Sequence, residues 1–153
     1  MKPNDDFSQL SRSVTVLGDE SKKFVLFVKS LGLEYILTDS LMQTAVVTDS
    51  SAGTDFSGMK VSYPYVDGLN KKSIKCDEIL TYAVENNGAD VVAKDVRIHN
   101  DSTSFELLTS NGIGRVYVDS TERNVPKYTL ALACTLLLSG LKTSDAIELV
   151  SKK

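Results

Sequence analysis

Short β-branched runs alternate with amphipathic stretches along most of the chain. Ser13–Leu17 (SVTVL), closed by Gly18, has the composition of a short strand. Phe24, Val25, Phe27, Val28 and Leu31 then recur on one helical face, Asp19 stands where a cap is needed, and Gly32 ends the segment. Leu33–Thr38 (LEYILT) is an apolar run of strand length, placed after a helix that suits a βαβ crossover. Ala45–Thr48 predicts another short strand before the turn formers DSSAGTDFSG. Met59–Asp67 (MKVSYPYVD) is extended, with Pro64 pointing to an edge position or an irregular end. Between Asn70 and Gly88, the helical spacing of Ile74, Ile79, Leu80, Ala83 and Val84 and the Asn87-Gly88 stop predict a helix. Ala89–His99 predicts a strand, Ser104–Thr109 a short helix or turn, and Arg115–Val118 a strand. Pro126–Ser139 is a strongly apolar helix, and Thr143–Ser151 a final amphipathic one capped by Thr143 or Ser144.

This alternation predicts an α/β fold with a mostly parallel central sheet flanked by helices. Arg115–Val118 is expected at its centre, because its flanks are apolar and the most hydrophobic helix follows it. The expected core comprises Val16, Phe24, Phe27, Val28, Ile36, Ile79, Leu80, Val116, Leu130, Ala131, Cys134, Leu137 and Ile147. The 153 residues fit one domain, 1–153, with a polar amino-terminal segment at 1–12. An apolar share of 42% and a charged share of 24% are those of a chain that folds.

A net charge of -3, a pI of 5.2 and scattered basic residues argue against a nucleic-acid partner. The longest apolar run, Tyr128–Leu138, is too short for a bilayer, and MKPNDDFSQLSR has no signal-peptide core. The expectation is therefore a cytoplasmic protein with no membrane partner. Cys76 and Cys134 both fall in predicted helices and are read as reduced, buried thiols. Two cysteines, one histidine and no HExxH or CxxC spacing supply no metal ligand set, and no cofactor is expected. His99 stands alone, without the orienting partner a working histidine needs.

VTVLG at Val14–Gly18, LGLEYILTDS at Leu31–Ser40 and GMKVSYPYVDG at Gly58–Gly68 occur in an order that resembles the dual-specificity branch of the protein tyrosine phosphatase superfamily. Asp77-Glu78-Ile79-Leu80, RVYVDS, PKYTLALACTLLLSG and LKTSDAIELV extend that resemblance to the carboxyl end, with residues 89–112 as an inserted segment. The family's HCxxxxxR signature joins a thiolate nucleophile to an arginine that clamps phosphate oxygens. At those positions this chain carries Asp119 for the histidine, Ser120 for the nucleophile and Pro126 for the arginine, with Lys127 one place later. Serine without a base is a poor nucleophile. Asp119 and Glu122 repel a dianion, and the loop has no glycine to form a cradle.

The resemblance thus implies a pseudophosphatase: a catalytically inactive module serving as a scaffold for a protein partner. Asp67 occupies the general-acid position, although aspartate before glycine is also a common turn residue. Glu122, Arg123 and Lys127 remain as anion- or partner-binding residues. Two alternatives stay open. One is a phosphate or phosphopeptide binder using Arg123 and Lys127. The other is an enzyme of another class built on Asp67, Asp119, Ser120 and Glu122 at the carboxyl ends of the strands.

Overall fold

A computed structural model describes residues 14–37 and 44–151 of the chain. Among these residues seven strands form one sheet in strict sequence order: β1 (Val14–Leu17), β2 (Thr44–Val47), β3 (Lys60–Pro64), β4 (Glu78–Val84), β5 (Val91–Ile98), β6 (Thr103–Thr109) and β7 (Gly112–Val118). Pairings from β1 to β5 are parallel, while β5–β6 and β6–β7 are antiparallel hairpin pairings. The sheet is therefore mixed. The mostly parallel arrangement expected gives way to antiparallel pairing at β5, because Ser104–Thr109 is strand rather than helix or turn and pairs on both sides. Residues 89–112 accordingly contain two strands of the sheet, β5 and β6.

Among the described residues three α-helices accompany it: α1 (Ser21–Ser30), α2 (Val125–Leu138) and α3 (Thr143–Val150). Alternation along β2 divides the core into two layers. Val46 points into a large cluster with Phe24, Phe27 and Val28 of α1 and Leu130, Leu132 and Cys134 of α2. Ala45 and Val47 point the opposite way, into a small cluster with Val61, Tyr63, Phe56 and Ile74. All three helices contribute to the first cluster, and connecting segments supply Phe56 and Ile74 to the second. Helix α2 is buried nearly all round, as a helix apolar on every face must be. Its two threonines, Thr129 and Thr135, donate back to Val125 O (2.7 Å) and Ala131 O (2.9 Å), so the burial leaves neither hydroxyl without a bond.

Several expectations need correction. Asn70–Gly88 is not a helix but a 3-10 turn at Lys71–Ser73 followed by β4, so Cys76 lies in a loop and is only partly buried. Strand β4 has partners on both sides, and a strand covered on both faces loses the two-residue alternation that would have revealed it. Leu33–Thr38 is not a strand: Glu34–Leu37 form a 3-10 turn, and Thr38 lies outside the described residues, as does the amino-terminal segment 1–12. Pro64 sits at the irregular end of β3 but not on an edge, since β3 lies between β2 and β4. Asp19, Thr143 and Ser144 are not caps. Glu20 and Lys142 hold those positions, and neither makes a side-chain cap bond. Arg115–Val118 lies on the edge of the sheet, not at its centre, with Ile113 and Tyr117 turned outward. Of the expected core, Phe24, Phe27, Val28, Ile36, Val116, Leu130, Ala131 and Cys134 are buried, whereas Val16, Ile79, Leu80, Leu137 and Ile147 are partly buried against it.

Candidate functional site

Parallel strands bring their carboxyl ends to one side of the sheet, and β7 joins them because two antiparallel pairings separate it from β5. Segments 18–20, 48–49, 65–67, 85–86 and 119–124 therefore gather at one end, where sites in such sheets collect. Helix α2 begins there.

A cleft of about 580 Å³ opens at that end between the exits of β3 and β4 and the start of α2. Tyr65 and Glu85 form one wall, Arg123, Asn124 and Lys127 the other. Gly88 fixes the first wall, since a Cβ there would lie 2.6 Å from the Tyr65 ring. Glu85 adopts a left-handed backbone (φ 57°), held by its N–H donating to Ala93 O at 2.8 Å. Such a conformation in a residue other than glycine costs on the order of 1 kcal/mol and tends to occur where function fixes the chain.

Behind the second wall lies a polar network that joins elements distant in sequence. Lys127 Nζ donates to Glu20 Oε2 at 2.7 Å, and the Tyr128 hydroxyl donates to Glu20 Oε1 at 2.8 Å. The lysine bond is the main influence holding the Glu20 carboxyl below its ordinary range. Burial first, then the Glu20 bond, pushes the Tyr128 hydroxyl up to about 12. The Tyr128 ring also packs edge-on against Phe24 with centroids 6.1 Å apart, so the network is anchored in the core. Asp49 accepts from the N–H and hydroxyl of Ser51 and from the Glu20 N–H (3.2 Å), with the Ser51 hydroxyl bond the main reason its carboxyl is depressed.

The residues singled out from the sequence divide. Arg123 and Lys127 line the cleft, Lys127 already paired and Arg123 exposed with no ion pair among the described residues. Asp67 is an exposed turn residue beside Gly68 that accepts from Asn86 Nδ2 at 3.0 Å. Asp119 is exposed. Ser120 Oγ accepts from the Glu122 N–H (3.1 Å), and Glu122 Oε1 from the Asn124 N–H (3.4 Å). Val125 N–H donates to Glu122 O at 3.1 Å. These amides are used within the segment, so 119–124 is a self-bonded turn and not a cradle open to a phosphate. His99 Nε2 lies 3.1 Å from Ser104 Oγ. Cys134 is fully buried, and burial drives its thiol well above the ordinary range. Among the described residues, no group of three His, Cys, Asp or Glu side chains is placed to hold a metal ion, and no helix is long and apolar enough to cross a membrane.

Sequence reasoning missed Glu20, Asp49 and Glu85. The available signal was position: Glu20, Asp49 and Glu85 each follow a strand exit, where polar residues of an α/β sheet collect.

No family model matches the chain. It is 39% identical over 97 residues, 60% of its length, to the UDP-N-acetylmuramoyl-L-alanyl-D-glutamate--2,6-diaminopimelate ligase of Bacillus velezensis. The likeness is to a ligase. Solved structures agree in fold. The UDP-N-acetylmuramoylalanyl-D-glutamyl-2,6-diaminopimelate--D-alanyl-D-alanyl ligase of Acinetobacter baumannii superposes on 95% of the chain with a TM-score of 0.60 and 12% identity. A UDP-N-acetylmuramoyl-L-alanyl-D-glutamate--2,6-diaminopimelate ligase superposes on 80% with a TM-score of 0.53 and 18% identity. The chain spans 20% of the curated relative and 46% and 30% of these two structures. These findings overturn the resemblance to dual-specificity phosphatases. With it fall the reading of 119–127 as a decayed cysteine loop, the assignment of a non-enzymatic pseudophosphatase and its scaffold role.

Proposed function

We propose that this chain is a ligase-type domain that takes part in joining an amino acid or peptide to a UDP-N-acetylmuramoyl-peptide, and that its cleft holds an anionic group of that substrate. The observation that carries this reading is the 39% identity over 97 residues with the B. velezensis ligase. The neighbouring folds, all of ligases named for the same class of substrate, support it.

The substrate class matches the chemistry of the cleft. A UDP-linked peptide carries a diphosphate and carboxylates, anionic groups that charge-assisted hydrogen bonds from cationic side chains can hold. Arg123 offers a planar fork to such an oxyanion, and Asn124 lies beside it. Lys127 supplies a further positive charge, kept in place by Glu20. Glu122 and Asp119, exposed on the neighbouring turn, oppose a second anion on that side and so orient the first.

Calorimetric titration with UDP-N-acetylmuramoyl-L-alanyl-D-glutamate tests the reading directly. The parent chain is expected to bind it, and Arg123→Ala to weaken binding by about tenfold, the loss of one charge-assisted contact, with an unchanged melting temperature. Absence of binding, or equal affinity in the Arg123→Ala variant, removes the cleft from the account.

A further inference from the structure

Strand β1 ends the sheet opposite to β7, and among the described residues no strand pairs with its outer edge. Thr15, Val16 and Leu17 are half-buried there, so among the described residues the outer edge of β1 has no strand partner and lies beside a partly covered face. Exposed edges of this kind are normally blunted by charge, a proline or a covering element. Here the edge is bordered by a groove of about 360 Å³ between Val16 of β1 and Val25 and Leu26 of α1. Leu26 is 64% exposed, unusual for a leucine in a helix whose neighbours Phe24, Phe27 and Val28 are buried.

Charge decides what fits. Lys22, Leu26 and Lys29 follow one another at four- and three-residue spacing, forming a single stripe along α1, with Lys23 alongside. All three lysines are exposed, and none makes an ion pair among the described residues. The nearest carboxylates in the chain do not neutralise them: Asp19 makes no ion pair with them, and Glu20 is committed to Lys127 and Tyr128. A second copy of this chain docked with its own β1 edge and α1 stripe facing these would set three more lysines against these three. That like-charge juxtaposition disfavours self-association.

We infer that the β1 edge and the α1 stripe form a docking surface for an extended, acidic segment of a partner protein. The segment adds a strand to β1, sets an aliphatic side chain against Val16, Val25 and Leu26, and places carboxylates beside Lys22, Lys23 and Lys29. Main-chain bonding along β1 supplies affinity, while the groove and the lysines supply selectivity, the division of labour usual when a strand is added to a sheet edge. This inference does not rest on the ligase reading, because its residues lie outside the cleft.

The test uses the full chain and a fluorescein-labelled peptide of alternating Glu and Val, followed by anisotropy, with a Lys and Val peptide as control. The acidic peptide is expected to bind, more weakly as salt is raised, and the basic one not at all. Lys22→Glu with Lys29→Glu, and separately Leu26→Ser, are expected to weaken binding by about tenfold or more, while thermal melting confirms that these exposed positions leave the fold intact. The inference fails on any of four results. The acidic peptide does not bind; the charge-reversed variant binds it equally; the parent sediments as a dimer that Leu26→Ser dissolves; or binding emerges only after removal of residues 1–12, whose Asp5, Asp6 and Phe7 would then be the occupant.

Discussion

Glu20 accepts bonds from two side chains that lie 107 and 108 positions later in the sequence, and so ties the loop after β1 to the first turn of α2. Glu20→Gln keeps the shape and removes the charge. It is expected to lower stability by about 1 kcal/mol at neutral pH, the range of a partly exposed ion pair together with a hydroxyl bond. The folded-state carboxyl titrates below its ordinary value of 4.5, so the unfolded chain binds the extra proton as the pH falls. The stabilisation is therefore complete above 4.5 and is lost as the pH drops through the folded value. Melting curves of parent and variant should differ most near neutrality and converge in acid; a gap that widens in acid would reverse the assignment. A second residue carries a simpler test. The buried Tyr82 hydroxyl donates to Val47 O at 2.6 Å, joining the second and fourth strands. Tyr82→Phe should cost about 1–2 kcal/mol in chemical denaturation, and no change would mean that the carbonyl finds another donor. Neither contact was legible in the sequence, because a long-range bond leaves no local periodicity.

At the scale of elements, what could be read depended on how many faces each one buries. Helix α1 and strands β1, β2, β3 and β5 carry local signals, one-sided stripes or β-branched runs closed by glycine and turn formers, and lie close to where the pattern places them. Strand β4 was mistaken for a helix because Ile79, Leu80, Ala83 and Val84 match helical spacing by chance, although Ile79–Val84 is rich in β-formers. Strand β7 could have been recognised as half-solvated: Ile113 and Tyr117 alternate with buried Val116 and Val118, the pattern of a one-faced strand and not of a sheet centre. Two glycines separate backbone constraint from packing. Gly18 has φ +109°, and a Cβ there would clash with Thr48 Oγ1 and lie 3.0 Å from Asp49 N. Gly18→Ala is expected to cost about 1–3 kcal/mol, since strain and clash act together against rigid backbone. At Gly114 the added Cβ meets Ile147 side-chain atoms and no backbone, Cδ1 at 2.9 Å and Cγ2 at 3.3 Å, and the first of these can turn aside. Gly114→Ala should cost less than Gly18→Ala in thermal melts; the reverse order would show that α3 packs on β7 more rigidly than it looks.

For the molecule as a whole, the α/β class followed from alternation alone, whereas Arg123 and Lys127, which line the cleft, were singled out through the phosphatase resemblance and the start of the following helix and not through the sheet. Strand order was not legible, since pairing depends on contacts between β-runs that look alike in sequence. Nor was the ligase likeness, because apolar patterning and element order are shared by many unrelated α/β domains. The same topology makes a prediction about cooperativity. Helix α2 packs across β2, β3, β4, β5 and β6 and touches both other helices, so one element spans most of the sheet. Leu130 is fully buried in it. Leu130→Ala should cost about 2–5 kcal/mol through lost burial and the cavity left behind. Because α2 holds the central strands together, amides of β2, β3 and β4 should lose protection in hydrogen exchange by the same free energy as the global loss. The outer edge of β1 and the β6–β7 hairpin, which open with less of α2 involved, should change less. Protection lost only in α2, with the central strands unaffected, would mean that the sheet stands without its helix and that the molecule unfolds in separate parts.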